Sequence, residues 1–326
     1  MSRLIECVPN FSEGRRTEVV DELAEAVRAT PGVFLLDRTS DPDHNRSVLT
    51  FAGPADPVLA AMGSATAIAI ERIDMREQSG QHPRIGAVDV VPFVPLGDST
   101  VEDCIELAQR FGARAAERFE LPVYLYARAA ARSERVVLAE IRRPQFEGLG
   151  ALLGEPSWRP DYGPARLHPT AGAMAVGARP FLIAYNINLD SPDLDLAKRI
   201  AHRIRERSGG LPRVQALGLY LEELGCAQVS MNLLDFAVTP IWQVWETVGE
   251  LAAAQGVERR ESELIGLVPE AALLDVAEHA GLADGEEHAK RLLEAAEWLR
   301  IRDFELDRVL ELRLASAQSR ATVDAG

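Results

Sequence analysis

The stretch His82-Pro83-Arg84-Ile85-Gly86-Ala87-Val88-Asp89-Val90-Val91-Pro92-Phe93-Val94-Pro95 decides how the rest of the chain is read. From Val88 onward it is an apolar, β-branched run bounded by prolines, the pattern of a buried strand. The turn ahead of it then sits at the rim of a sheet and carries an imidazole and a guanidinium. Reactive groups on a loop held by a rigid strand are a common catalytic arrangement. His82 can take or give a proton near neutral pH. A loop histidine that hydrogen-bonds its own turn explains these residues equally well.

Working outward, the upstream residues predict a strand at Leu4–Val8 and a helix at Thr17–Ala29, broken by Pro31-Gly32. Strands follow at Val33–Asp37 and Val48–Ala52, separated by the turn-rich Ser40–Asn45. A helix runs from Asp56, its expected N-cap, to Ile73, and Val88–Val94 closes the set. That order is βαββαβ, extended by a helix at Val101–Phe119 and a strand at Val123–Ala127. The second half repeats the plan: strand Phe181–Leu189, helix Asp193–Arg207, strands Val214–Tyr220 and Ala227–Leu234, helix Pro240–Ala254 and strand Leu264–Val268. From Pro269 to about Ala317 the pattern is helical. The expectation is an α/β (α+β) chain of two ferredoxin-like subdomains, 1–178 and 179–326. Pro156–Ala178 connects them, and a ligand cleft is expected between the two.

The 326 residues suit two domains, and 47% hydrophobic residues are enough for a core in each. A formal charge of −15 argues against nucleic acid as a partner. No run approaches the ~20 apolar residues of a membrane span, and the first residues do not read as a signal peptide. Cys7, Cys104 and Cys226 lack metal-ligand spacing and read as small buried hydrophobes of a reducing, cytoplasmic setting. No metal is expected.

Arg46 and Arg84 can grip carboxylates bidentately, although surface ion pairs explain either one alone. Asp89 either orients His82 or points away from it. The segment Gly163-Pro164-Ala165-Arg166-Leu167-His168-Pro169-Thr170-Ala171-Gly172 offers glycines and peptide N–H groups to a planar ligand. A tight crossover accounts for it as well. Within it, His168-Pro-x-x-Gly-Ala echoes His82-Pro-x-x-Gly-Ala.

With these residues in view, the chain resembles the formiminotransferase family. The likeness is carried by Leu4-Ile5-Glu6-Cys7-Val8-Pro9-Asn10-Phe11-Ser12-Glu13-Gly14, His82–Ala87, Pro122-Val123-Tyr124-Leu125-Tyr126, Ala184-Tyr185-Asn186-Ile187-Asn188-Leu189, Gln228–Phe236 and Leu264–Pro269, in the family's order. The resemblance implies transfer of a formimino group from N-formimino-L-glutamate to the co-substrate tetrahydrofolate, by a cytoplasmic homodimer in histidine degradation. It implies His82 as the catalytic base and Gly163–Gly172 as the folate-contacting segment. His168-Pro169-Thr170 departs from the bulkier, aromatic stretch of animal members, and His44 is outside the implied catalytic set. Arg46, Arg84, Asn10 and Asn188 are the candidates for holding the donor. With no cyclodeaminase-type helical domain in the chain, the expected reaction is transfer without deamination. An N-formyl-L-glutamate or 5-formyltetrahydrofolate donor on the same scaffold, or folate binding without turnover, are the competing readings.

Overall fold

The structure, a computed structural model, describes residues 3–282 and 287–324. The chain divides into two units at Pro180/Phe181.

The first unit opens with β1 (Arg3–Cys7) and β2 (Asn10–Phe11), one line interrupted at Val8-Pro9. α1 (Thr17–Arg28) turns Val19, Val20, Leu23 and Val27 inward at helical spacing. β3 (Phe34–Asp41) and β4 (Arg46–Gly53) form a hairpin longer than the apolar residues alone suggest. Its reversal ends on Asn45, at φ +48, a residue type that tolerates the left-handed region. α2 (Ala55–Arg72) starts behind Pro54, so Asp56 is a first-turn residue and not the cap. There its charge still complements the helix dipole. β5 (Val88–Gly97) pairs antiparallel with β1 and β2. The antiparallel order is β3-β4-(β1, β2)-β5.

α3 (Val101–Phe119) begins with a capping box between Thr100 and Asp103 and leads into β6 (Val123–Ala127). Two short helices follow that the sequence reading lacks, α4 (Leu138–Arg142) and α5 (Gln145–Leu152). The connector expected at 156–178 ends in a strand, β7 (Met174–Ala178), inserted between β5 and β6 and parallel to both. Every residue of β7 is buried, so it has none of the polar alternation that marks a half-exposed strand. Helices α1, α2 and α3 share a core with Phe51, Val91 and Phe93 on one face of the sheet. On the other face Ile141 and Leu149 pack with Ile85, Val90, Tyr124 and Ala175.

The second unit runs β8 (Ile183–Leu189), α6 (Leu194–Ile204), β9 (Val214–Leu221), β10 (Cys226–Leu233), α7 (Ile241–Ala253) and β11 (Arg259–Ile265). Its antiparallel sheet is ordered β11-β8-β10-β9, so β8 lies between β10 and β11 as β1 lies between β4 and β5. Asp193 caps α6 by accepting the Leu196 N–H at 3.0 Å. The last strand sits earlier than the expected Leu264–Val268. Ser262 and Leu264 face inward while Glu261 and Glu263 face out, and those charges hide the strand from a reading based on apolar runs. α8 (Glu270–His279), α9 (His288–Trp298) and α10 (Leu310–Asp324) follow. Leu273, Val276 and Leu292 complete this unit's core. Among the described residues, no helix is long and apolar enough to cross a membrane.

Candidate active site

At one end of the first unit's sheet the usual order of burial inverts. Asn10, Ser12, Glu13, Asn45, Arg84 and Asp89 are all buried polar residues, and such groups persist only when their hydrogen bonds are satisfied. Four of them, Ser12, Asn45, Arg84 and Asp89, line a tight, narrow recess together with Phe11, His44, Arg46, Gln78 and His82.

The scaffold of the recess is mostly backbone caught by side chains. Asn45 Oδ1 accepts the Gly14 N–H at 3.0 Å, and its amide donates to the Ser79 carbonyl. Gln78 returns a bond to the Asn45 carbonyl. Ser12 Oγ donates to the Gly86 carbonyl at 2.7 Å. Three separate segments, 10–14, 42–46 and 78–86, are thereby fastened to one another.

His82 is half-buried on this scaffold, and its Nδ1 is buried without a hydrogen-bond partner. Its pKa is pushed down to about 4. Burial is the main cause, followed by the positive charges of Arg46 and Arg142, with Asp89 opposing them. At neutral pH the ring is therefore uncharged and able to accept a proton. Asp89 Oδ1 accepts the Ile85 N–H at 2.8 Å and Oδ2 pairs with Arg142. It holds the turn that carries His82 and makes no hydrogen bond to the ring.

The four residues expected to hold a donor divide into distinct situations. Arg46 keeps its guanidinium on Asn10 Oδ1, a neutral acceptor, and no carboxylate among the described residues forms an ion pair with it. Burial lowers its pKa to about 10. Asn10 spends its amide on the Val8 carbonyl and its oxygen on Arg46, so it acts by aiming Arg46. Arg84 has all five N–H groups engaged: Gln78 Oε1, the Gln78 carbonyl, Gln145 Oε1 and both oxygens of Glu147. A substrate carboxylate reaches it only by displacing Glu147. Asn188 lies in the second unit, bonded to Gln228 at 2.9 Å and Glu261 at 3.1 Å.

Residues 163–172 form a loop braced against the His82 turn. The Thr170 carbonyl accepts the Met75 N–H, the Ala171 carbonyl accepts the Ala87 N–H, and the Ala173 N–H donates to the Ile85 carbonyl. Gly86 and Gly172 bridge between these bonds, so the two His-Pro-x-x-Gly-Ala copies meet at their glycines. The histidines diverge there: His168 Nδ1 accepts the Ala171 N–H at 3.0 Å, whereas His82 Nδ1 has no such bond. Gly163, at φ +85, leaves no room for a Cβ beside the Leu121 carbonyl. Arg166, Ala165 and Pro169 remain exposed on this loop.

His44 beside His82, and Arg142 through Asp89, join this site from outside the sequence-derived set. His44 stands edge-on, ring centroids 6.0 Å apart, with its Nδ1 2.8 Å from Asp41. Arg142, at the end of α4, reaches Asp89; in the sequence it is one arginine among Arg128, Arg132, Arg135, Arg142 and Arg143, with no distinguishing motif.

The profile of the formiminotransferase domain's N-terminal subdomain matches residues 4–179, and that of the formiminotransferase domain matches residues 184–300. The chain is 43% identical to a glutamate formimidoyltransferase of Streptococcus pyogenes, over 90% of this chain and 98% of that one. It is 46% identical to a glutamate formimidoyltransferase of Thermoplasma acidophilum, over 85% and 91%. It is 47% identical to the formimidoyltransferase-cyclodeaminase of Gallus gallus, over 85% of this chain and 52% of that one. Profiles covering both units and identities at this level mean that the chain belongs to the formiminotransferase family.

Proposed function

We propose that this protein is a glutamate formimidoyltransferase, moving the formimino group of N-formimino-L-glutamate to N5 of tetrahydrofolate and releasing L-glutamate. The observation that carries this reading is the half-buried His82 imidazole, uncharged at neutral pH, lining one recess with Arg46, which has no carboxylate partner among the described residues. Transfer of the group requires the attacking nitrogen to lose a proton and the departing glutamate nitrogen to gain one. His82 accepts the first proton and delivers it to the second atom, so a single group serves both steps without net proton change.

Arg46 supplies charge for the donor's carboxylates, and Asn10 keeps its guanidinium aimed. Arg84 ties the His82 turn to α5 through Glu147, contributing orientation instead of contact. Asn188, with its side-chain amide on β8, is retained as a proposed donor-ordering residue. The exposed part of 163–172 is assigned to the folate: its backbone is anchored on both sides, and Arg166 is accessible to the co-substrate's carboxylates. The family likeness suggests a cytoplasmic homodimer in histidine degradation as the setting.

The test is steady-state release of glutamate with tetrahydrofolate and N-formimino-L-glutamate, run beside N-formyl-L-glutamate. Fast release from the formimino donor is expected. Release from the formyl donor alone, or folate binding with no release from either, overturns the assignment.

A further inference from the structure

We propose that His44, held on Asp41, is the proton port of this site: it hands a proton from solvent to the departing glutamate nitrogen once His82 has acted. This deepens the transferase reading and rests on it for the identity of that nitrogen.

The β3–β4 turn and the His82 turn are stitched together. The Gln81 N–H donates to the Asp43 carbonyl at 3.3 Å, the Gln78 amide to the Asn45 carbonyl at 3.0 Å, and the Asn45 amide to the Ser79 carbonyl at 3.0 Å. A Cβ on Gly80 would come within 2.2 Å of the His44 carbonyl oxygen, so the two backbones touch. His44 and His82 are thereby held edge to face, ring centroids 6.0 Å apart, and both line the recess. Asp41 orients the His44 ring. Its Oδ1 accepts the N–H groups of Asp43 and His44 at 2.9 and 2.8 Å, and its Oδ2 lies 2.8 Å from His44 Nδ1. Nδ1–H is committed to that carboxylate, which leaves Nε2 to exchange protons. The two imidazoles differ in access: His82 is half-buried, whereas His44 is exposed. The other charged groups of the recess, Arg46, Arg84 and Asp89, are engaged with Asn10, Glu147 and Arg142.

An amidine donor is a cation at neutral pH, and the shuttle through His82 moves one proton from N5 to the departing nitrogen. Glutamate is then released from the adduct as a free amine, a stronger base than imidazole, and becomes an ammonium by binding one more proton. His44, protonated on Nε2, supplies it: the Nε2–H bond breaks, an N–H bond to the amine forms, and the ring regains a proton from solvent at the mouth. One proton is taken up in all. The transfer follows cleavage of the C–N bond, so it enters kcat and leaves kcat/KM to His82.

The experiment is steady-state glutamate release at neutral pH by the full-length protein and its His44→Ala and Asp41→Asn variants, with and without added imidazole. His44→Ala should lose about tenfold in kcat with kcat/KM unchanged, less than the usual worth of a placed acid because water also reaches the mouth. Imidazole should restore that kcat and leave the unsubstituted protein unaffected, a rescue that a loss of packing would not show. Asp41→Asn keeps an acceptor for the two backbone N–H groups and removes the charge beside the ring, so it should lose part of the same kcat. An unchanged kcat in His44→Ala, or a loss that imidazole does not lift, overturns the proposal and leaves the transferase reading standing. No release by the unsubstituted protein strikes that reading and this proposal with it.

Discussion

Gly86 and Gly172 lie back to back across an antiparallel bridge, joining the turn that carries His82 to the loop assigned to folate. A Cβ on Gly86 would run into the Ala173 carbonyl oxygen and come within 2.6 Å of that of Ala171. Both obstacles are backbone, so neither can rotate away. Gly86→Ala is expected to cost about 2–3 kcal/mol of stability through overpacking. It should also lower turnover, since the His82 turn must back off. Urea unfolding together with the glutamate-release assay checks both.

Removing the imidazole should separate chemistry from stability. His82 is half-buried and its Nδ1 makes no hydrogen bond, so His82→Ala breaks no network. Turnover is expected to fall about 10² to 10⁴-fold, the usual worth of a placed general base. The unfolding midpoint should stay within experimental scatter. Equal turnover in the variant would take His82 out of the mechanism.

The low proton affinity of His82 predicts a pH profile with a definite sign. Its pKa is near 4 in the folded protein against 6.5 for an unperturbed ring. Between those values the unfolded chain binds a proton that the native site does not, so this group's contribution favours unfolding as pH falls through that window. Above 6.5 the contribution is constant. For the free enzyme, kcat/KM should stay level from neutral pH down to about pH 5 and then drop as the ring protonates near 4. A midpoint near 6.5 in kcat/KM would mean that the ring is not desolvated as described.

Glu147 decides whether Arg84 touches substrate. The carboxylate pairs with Arg84 at 2.7 and 3.0 Å while itself remaining exposed. Glu147→Gln keeps the shape and removes the competing charge. With Arg84 as an orienting group, KM for the donor should be unchanged and stability should drop by about 1 kcal/mol, as for a partly exposed charged hydrogen bond. A clear fall in KM would instead make Arg84 a substrate ligand held in reserve by Glu147.

Away from the site, Asp161 anchors the long excursion between β6 and β7. It pairs with Arg135 at 2.7 Å, both nearly buried, and accepts the Leu125 N–H. Arg135 also lies over the Tyr124 ring at 4.9 Å. Asp161→Asn leaves a buried guanidinium uncompensated and is expected to cost about 3 kcal/mol. Thermal unfolding of the variant checks this, and a loss under 1 kcal/mol would show that water reaches Arg135.

The local residues determine a good part of this protein. Helical spacing in Thr17–Arg28, the apolar run from Val88 and the Thr100 capping box specify their elements from neighbours in the chain. The repeated βαββαβ order follows from them. His82 is legible because few side chains change charge near neutral pH and this one precedes a buried strand.

Other features exist only in three dimensions. β7 is a central strand because β5 and β6 both bond to it, although Met-Ala-Val-Gly-Ala alone has no strand alternation. Arg84 and Arg46 look alike in the sequence, yet one meets Glu147, 63 residues away, and the guanidinium of the other meets Asn10 and no carboxylate among the described residues. Arg142 is one arginine among several until α4 brings it to Asp89, 53 residues away. Periodicity and capping are short-range and readable, whereas the strength of a charge depends on burial and on the partners that folding brings to it.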